Sequence, residues 1–202
     1  MVSSEAVALL QQLIRNACVN DGTPESGHEH RSVSTLLDFF GVDGEVFEVV
    51  EGRQSLIYRV PGSDPEFPDL ALVPNLDVVP ADPSGWSVDP FAAEIIDGFV
   101  YGRGAIDMLN VTAAMAVAVR PYLRGEKRPR GDLVFAAVAD EEAGGRFGAA
   151  ALVEQRWDLV QADYLLTEVA YPPPTDTTHP TVPVAAGEKG VFWTMLRASG
   201  VP

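Results

Sequence analysis

The sequence predicts an α/β domain whose central mixed, mostly parallel sheet carries helices on both faces. Short, wholly apolar runs suited to buried strands alternate with segments of helical periodicity. Acidic residues sit just beyond the C-terminal ends of three of those runs, the arrangement expected of strands whose C-terminal edge forms a site. With 202 residues, 47% hydrophobic and 21% charged, the chain has the length and composition to bury a full core without disulfides.

In chain order, residues 5–18 place Val7, Leu10, Leu13, Ile14 and Ala17 on one helical face behind Ser3 and Ser4, either of which can cap the first turn. After Asp21-Gly22-Thr23-Pro24 a second helical pattern runs from about Glu25 to Phe40 and stops at Gly41. Residues 45–50 and 54–60 are strand-like and flank a polar Glu51-Gly52-Arg53 turn. Leu70–Pro74 is a short apolar run, read as a buried strand. The Pro-, Gly- and Asp-rich stretch from Val78 to Gly104 reads as one long functional loop. Asp107–Leu123 is helical, Leu133–Ala139 is a buried strand ending at Asp140-Glu141-Glu142, and Phe147–Arg156 is helical again. Tyr164–Leu166 is a short strand ending at Thr167-Glu168, and the five prolines between Pro172 and Pro183 exclude a helix there.

The charge balance excludes one class of partner. With 29 acidic and 14 basic residues the net charge is -15, which opposes the counterion release that nucleic-acid binding requires. One cysteine, Cys18, allows neither an internal disulfide nor a cysteine zinc site, and a reducing cytoplasm is the expected setting. The N-terminus shows no secretory leader, and the most apolar stretch, Val111–Val119, is too short to span a bilayer. The expected partner is therefore a small molecule or peptide, not a nucleic acid or a membrane.

Acids concentrate at the strand ends: Asp77 after Leu70–Pro74, Glu141 and Glu142 after Leu133–Ala139, and Glu168 after Tyr164–Leu166. Asp107 follows Gly102-Arg103-Gly104 at the start of a helical segment, where the helix dipole favours a carboxylate. Any one of these alone is ordinarily a solvated loop acid or a helix cap. As an ordered set they point to cations, because gathered carboxylates repel unless they are protonated or neutralised.

The strings Pro74-Asn75-Leu76-Asp77-Val78-Val79-Pro80, Trp86, Asp89-Pro90-Phe91, Asp97-Gly98, Tyr101-Gly102-Arg103-Gly104-Ala105-Ile106-Asp107-Met108 and Asp140-Glu141-Glu142 with Gly144-Gly145 stand in a telling order. Together they resemble the zinc-dependent peptidase family of aminoacylases, acetylornithine deacetylase, succinyl-diaminopimelate desuccinylase and glutamate carboxypeptidase. The resemblance implies a hydrolase of amide bonds in N-acyl amino acids or small peptides, using two divalent metals, zinc first, with manganese or cobalt as alternatives. It implies that Asp107 bridges the metals, that Glu142 and Glu168 each bind one, that Glu141 is the general base, and that Asp77 orients the ligand at position 75. Gly144 and Gly145 would turn the chain after the Glu pair, and Arg103 would pair with a site carboxylate or lie at the surface.

One position departs from the family, which has His where this chain has Asn75. An amide oxygen is a weaker zinc ligand than imidazole and suits harder ions. The family continues into a lid and dimerisation domain and then returns to supply a further metal-binding His. Residues 1–190 therefore match the catalytic domain, incomplete at its C-terminal end, and 191–202 the start of the lid. The expectation is a chain weakly active or inactive by itself, with possible self-association through an uncompleted sheet. The alternative is a non-catalytic binding or oligomerisation relative with a decayed metal site. His28, His30 and His179 are read as exposed residues that do not replace the family's ligands.

Overall fold

The computed structural model describes residues 4–168, 194 and 196–200. The chain divides into the units Met1–Glu168 and Val169–Pro202, and the fold below is that of the first. The proline-rich loop, His179 and the expected boundary at 190/191 lie outside the described residues.

Helices α1 (Ser4–Arg15) and α2 (His30–Phe40) precede strands β1 (Glu45–Glu48), β2 (Gln54–Val60) and β3 (Leu70–Leu72). A hairpin of β4 (Glu94–Ile96) and β5 (Phe99–Tyr101) leads to α3 (Leu109–Leu123) and β6 (Leu133–Ala137). Helices α4 (Ala149–Gln155) and α5 (Trp157–Val160) and strand β7 (Tyr164–Leu166) follow. The main sheet has the order β1-β2-β6-β3-β7. It is mixed, and its pairings divide evenly: β1/β2 and β2/β6 are antiparallel, β6/β3 and β3/β7 parallel.

The central strand β6 is buried along its whole length, because alternate side chains serve two cores. Leu133, Phe135 and Ala137 join Leu56, Tyr58 and Leu72 beneath α1, α2 and α3. Val134 and Ala136, with Val138 just beyond the strand, join Ile57, Ala71 and Leu152 on the opposite face, where Leu159 and Val160 of α5 pack. Helices thus cover both faces, and the apolar run that predicted β6 reads as it does because neither face meets water. Phe40 anchors the first core, its ring edge-on to Tyr58 at 5.2 Å and to Phe135 at 5.4 Å.

Several boundaries differ from expectation, each for a local reason. The second helix begins at His30 and not near Glu25, because Gly27 (φ 83°) and His28 (φ 57°) are left-handed and cannot continue a helix. The stretch read as one loop between Val78 and Gly104 contains the β4–β5 hairpin, turned by Asp97 (φ 51°) and Gly98 (φ 84°). Its strands are mostly exposed, with Phe99 at 69%, so no hydrophobic alternation marks them. Asp107 does not open α3; it lies in the preceding turn, and the helix starts two residues later at Leu109.

Candidate metal centre

Parallel pairing brings the ends of β3, β6 and β7 to one edge of the sheet, and the acids are on the segments that leave it. Beyond β3 the chain stays against β6: Val138 N–H donates to Pro74 O at 2.8 Å and Leu76 N–H to Val138 O at 3.0 Å. This extension buries Asn75 and Asp77 completely. Beyond β6, Asp140 adopts a left-handed conformation and Glu141–Ala143 form one short 3-10 turn, ended by Gly144 at φ 98°. On the facing side Gly104 admits the close approach of Leu109 and Val78, whose side chains lie 2.6 and 2.7 Å from where a Cβ would stand.

Asp77 is the hub of the site. Its Oδ1 accepts Glu141 N–H at 3.2 Å and its Oδ2 accepts Glu142 N–H at 3.1 Å, so one buried carboxylate holds the backbone of both glutamates. Asn75 Nδ2 donates to Asp77 O at 3.1 Å and to Asp77 Oδ1 at 3.4 Å, while Thr112 Oγ1 donates to Asn75 O at 2.9 Å. Asn75 Oδ1, although buried, has no hydrogen-bond partner. A buried carbonyl oxygen left unsatisfied while its amide nitrogen is tied down is a group awaiting an acceptor of its lone pairs. A cation would satisfy it.

Asp107, Glu141, Glu142 and Glu168 are close enough to feel one another. Burial raises Glu142 to about 7, helped by the charges of Glu141, Asp107 and Asp77 and opposed by a hydrogen bond from Val79 N–H. Burial raises Glu168 to about 8, with a hydrogen bond to Asp107 and the charges of Asp107, Glu141 and Glu142 adding to it. Burial also pushes Asp77 up, against the pull of hydrogen bonds from Asn20, Glu142 N–H and Asn75. The acids expected at the strand ends therefore lie within electrostatic reach of one another, and without a cation Glu142 and Glu168 are biased toward their protonated forms near neutral pH.

The fit to a metal is partial. Among the described residues no group of three or more His, Cys, Asp or Glu side chains is drawn together tightly enough to hold an ion unaided. The oxygens of Asp107, Glu142, Glu168 and Asn75 would supply a hard, anionic donor set suited to a divalent cation. Arg103 is not paired with a site carboxylate: its guanidinium lies 5.5 Å from the Trp86 ring centroid and donates to Pro80 O at 3.4 Å. His28 and His30 pack edge to face at 6.0 Å on the loop and first turn of α2, His28 half-buried and His30 exposed.

Three polar residues next to the site had no signal in the sequence. Arg53 Nε donates to Glu29 Oε2 at 2.8 Å and its Nη2 to Asp140 Oδ1 at 2.8 Å, and Asn20 Nδ2 donates to Asp77 at 2.8 Å and Asp140 at 3.1 Å. All are buried. A Glu at a helix start and an Arg in a polar turn read as surface residues until tertiary pairing is known.

The family description Peptidase family M20/M25/M40 matches residues 71–186. Succinyl-diaminopimelate desuccinylase 2 of Ruegeria sp. (strain TM1040) is 30% identical over 98% of this chain and 48% of that protein. Aminoacylase-1 of Mus musculus is 29% identical over 98% of this chain and 47% of that protein. The chain thus spans about half the length of these relatives. A metallo-carboxypeptidase structure from Sulfolobus solfataricus aligns with TM-score 0.68 at 21% identity, covering 83% of this chain and 38% of that one, a likeness of fold.

Proposed function

Because this chain belongs to peptidase family M20/M25/M40, whose members are metal-dependent amidohydrolases and peptidases, we propose that it forms the catalytic half of a hydrolase of amide bonds in N-acyl amino acids or small peptides. The observation that carries this reading is the buried, partnerless Asn75 Oδ1 beside a carboxylate cluster in which burial drives Glu142 and Glu168 to hold protons. Asp107, Glu142, Glu168 and Asn75 would hold the cations, zinc first, with manganese and cobalt as alternatives. Bound divalent cations polarise an amide carbonyl and acidify water.

The remaining steps fall to the chain's own residues. Glu141, exposed on the turn after β6, takes a proton from the attacking water and returns it to the departing amine nitrogen. Asp77 fixes the Asn75 amide, so that oxygen and not nitrogen is offered to the cation, and it holds the Glu141 and Glu142 backbone as the carboxylates act. Burial and the neighbouring Asp107 raise Glu168 to about 8, so Glu168 holds a proton at the site until a cation displaces it. A cytoplasmic setting is part of this reading, supported by Cys18, a buried free thiol. No helix among the described residues is long and apolar enough to cross a membrane.

A second reading, a binding relative without turnover, is favoured by Asn75 itself, since an amide oxygen holds zinc less well than imidazole does. Hydrolysis of N-acetyl amino acids and dipeptides, assayed with zinc, manganese and cobalt, separates the two. Metal-dependent turnover that Glu141→Gln abolishes supports the hydrolase; stoichiometric metal binding with no turnover supports the binding relative.

A further inference from the structure

Beneath the Asp140–Glu142 turn lie Asn20, Glu29, Arg53 and Asp140, none more than 3% exposed, and none has a part in the proposed chemistry. Burying so many charged and polar groups gains little stability over an apolar core, so a geometric role is the better account of their presence. Asn20 uses its whole hydrogen-bonding capacity. Its Nδ2 donates to Asp77 Oδ2 at 2.8 Å and Asp140 Oδ1 at 3.1 Å, and its Oδ1 accepts Gly22 N–H at 3.0 Å and Ser26 Oγ at 3.3 Å. Because Gly22 N–H can only donate, Asn20 Oδ1 must face it, and the amide can sit only this way round. Its backbone is fastened to the strand extension, with Asn20 N–H donating to Val78 O at 2.9 Å.

The rest of the frame holds Asp140. Arg53 Nη2 donates to Asp140 Oδ1 at 2.8 Å, Glu29 Oε1 accepts Asp140 N–H at 3.1 Å, and Asp140 Oδ2 accepts Phe147 N–H at 3.0 Å. Asp140 is thereby held in its left-handed conformation at φ 65°. Asp77, on the other side, carries the N–H groups of Glu141 and Glu142. The Glu pair hangs from these two acids, and Asn20 is the side chain that joins them.

We propose that Asn20 is a positioning residue: by tying Asp77 to Asp140 it fixes the Glu141–Glu142 backbone, and with it the direction in which both carboxylates face the cation and the substrate. The proposal rests on the function above, and its test separates the two. The 202-residue chain, Asn20→Ala, Asn20→Ser and a core control, Val119→Ala, are compared for cobalt(II) affinity, the visible spectrum of bound cobalt and amide hydrogen exchange. Asn20→Ala lowers cobalt affinity about 10- to 100-fold, shifts the cobalt absorption bands, and speeds exchange at Glu141 and Glu142 while leaving Val134 and Phe135 protected. Asn20→Ser, which keeps one donor, recovers part of each, and it carries the same measurements if Asn20→Ala fails to fold. Val119→Ala lowers the melting temperature without moving affinity or spectrum. Unchanged exchange at Glu141 and Glu142 in Asn20→Ala, or an equal loss of affinity in Val119→Ala, overturns the proposal. If the wild-type chain takes up no cobalt, the metal-dependent function fails, and the exchange data still decide the role of Asn20.

Discussion

Glu168 sits beside Asp107, and burial together with that neighbouring carboxylate raises Glu168 well above the ordinary Glu range. With Glu168 raised to about 8 and Glu142 to about 7, protons compete with metal across the neutral range.

Metal affinity should therefore climb with pH. Between pH 6 and 8.5 the apparent affinity rises by about tenfold per pH unit for each proton displaced, and levels off above pH 8.5. Titration calorimetry in buffers of different ionisation enthalpy counts the protons released. An affinity flat over this range would mean that Glu142 and Glu168 are not displaced from their protons.

The same shifts set the stability of the metal-free chain. Both carboxyls are raised in the folded state, so the folded chain holds protons that the unfolded chain has lost. The stability they contribute is fully present below the ordinary Glu range and disappears as pH rises through about 7 and about 8. Thermal melts in the presence of a chelator should fall from pH 5.5 to pH 8.5, and added divalent metal should restore more stability at the higher pH than at the lower.

Arg53 is 1% exposed against Glu29 at 0%, and removing it strands two buried acids. Arg53→Met should cost about 3–5 kcal/mol of unfolding free energy in urea. Arg53→Lys keeps the charge but loses the forked contact with Glu29, and should cost less than Arg53→Met.

Much of this architecture was legible in the sequence, and the parts that were not share a cause. The acids near the ends of β3, β6 and β7 stood out because they sit just beyond apolar runs, and both faces of β6 are buried as its run of Leu, Val, Phe and Ala implied. Glu29, Arg53 and Asn20 gave no such signal, because their burial depends on partners far away in the chain, Glu29 on Arg53 and Asn20 on Asp77 and Asp140. The β4–β5 hairpin carried its Asp97-Gly98 turn openly, but its exposed strands lack the alternation that would have set them apart from a loop. The start of α2 depended on left-handed Gly27 and His28, a backbone property that residue type alone does not fix for histidine.

Position 75 tests the choice of metal. Asn75→His replaces a hard amide oxygen with imidazole, and should shift preference from manganese toward zinc by about tenfold, or about 1.4 kcal/mol. Competition titrations with the two metals read this directly; an unchanged ratio would mean that position 75 does not touch the cation.

The central claim, that the carboxylates at the sheet edge hold divalent metal, is tested most directly by metal content and affinity at pH 8 for the wild-type chain and Glu142→Gln. Near-stoichiometric zinc or manganese at micromolar concentration, weakened by at least about tenfold in Glu142→Gln, is the predicted result. Absence of binding in the wild type, or equal binding in both, would contradict it.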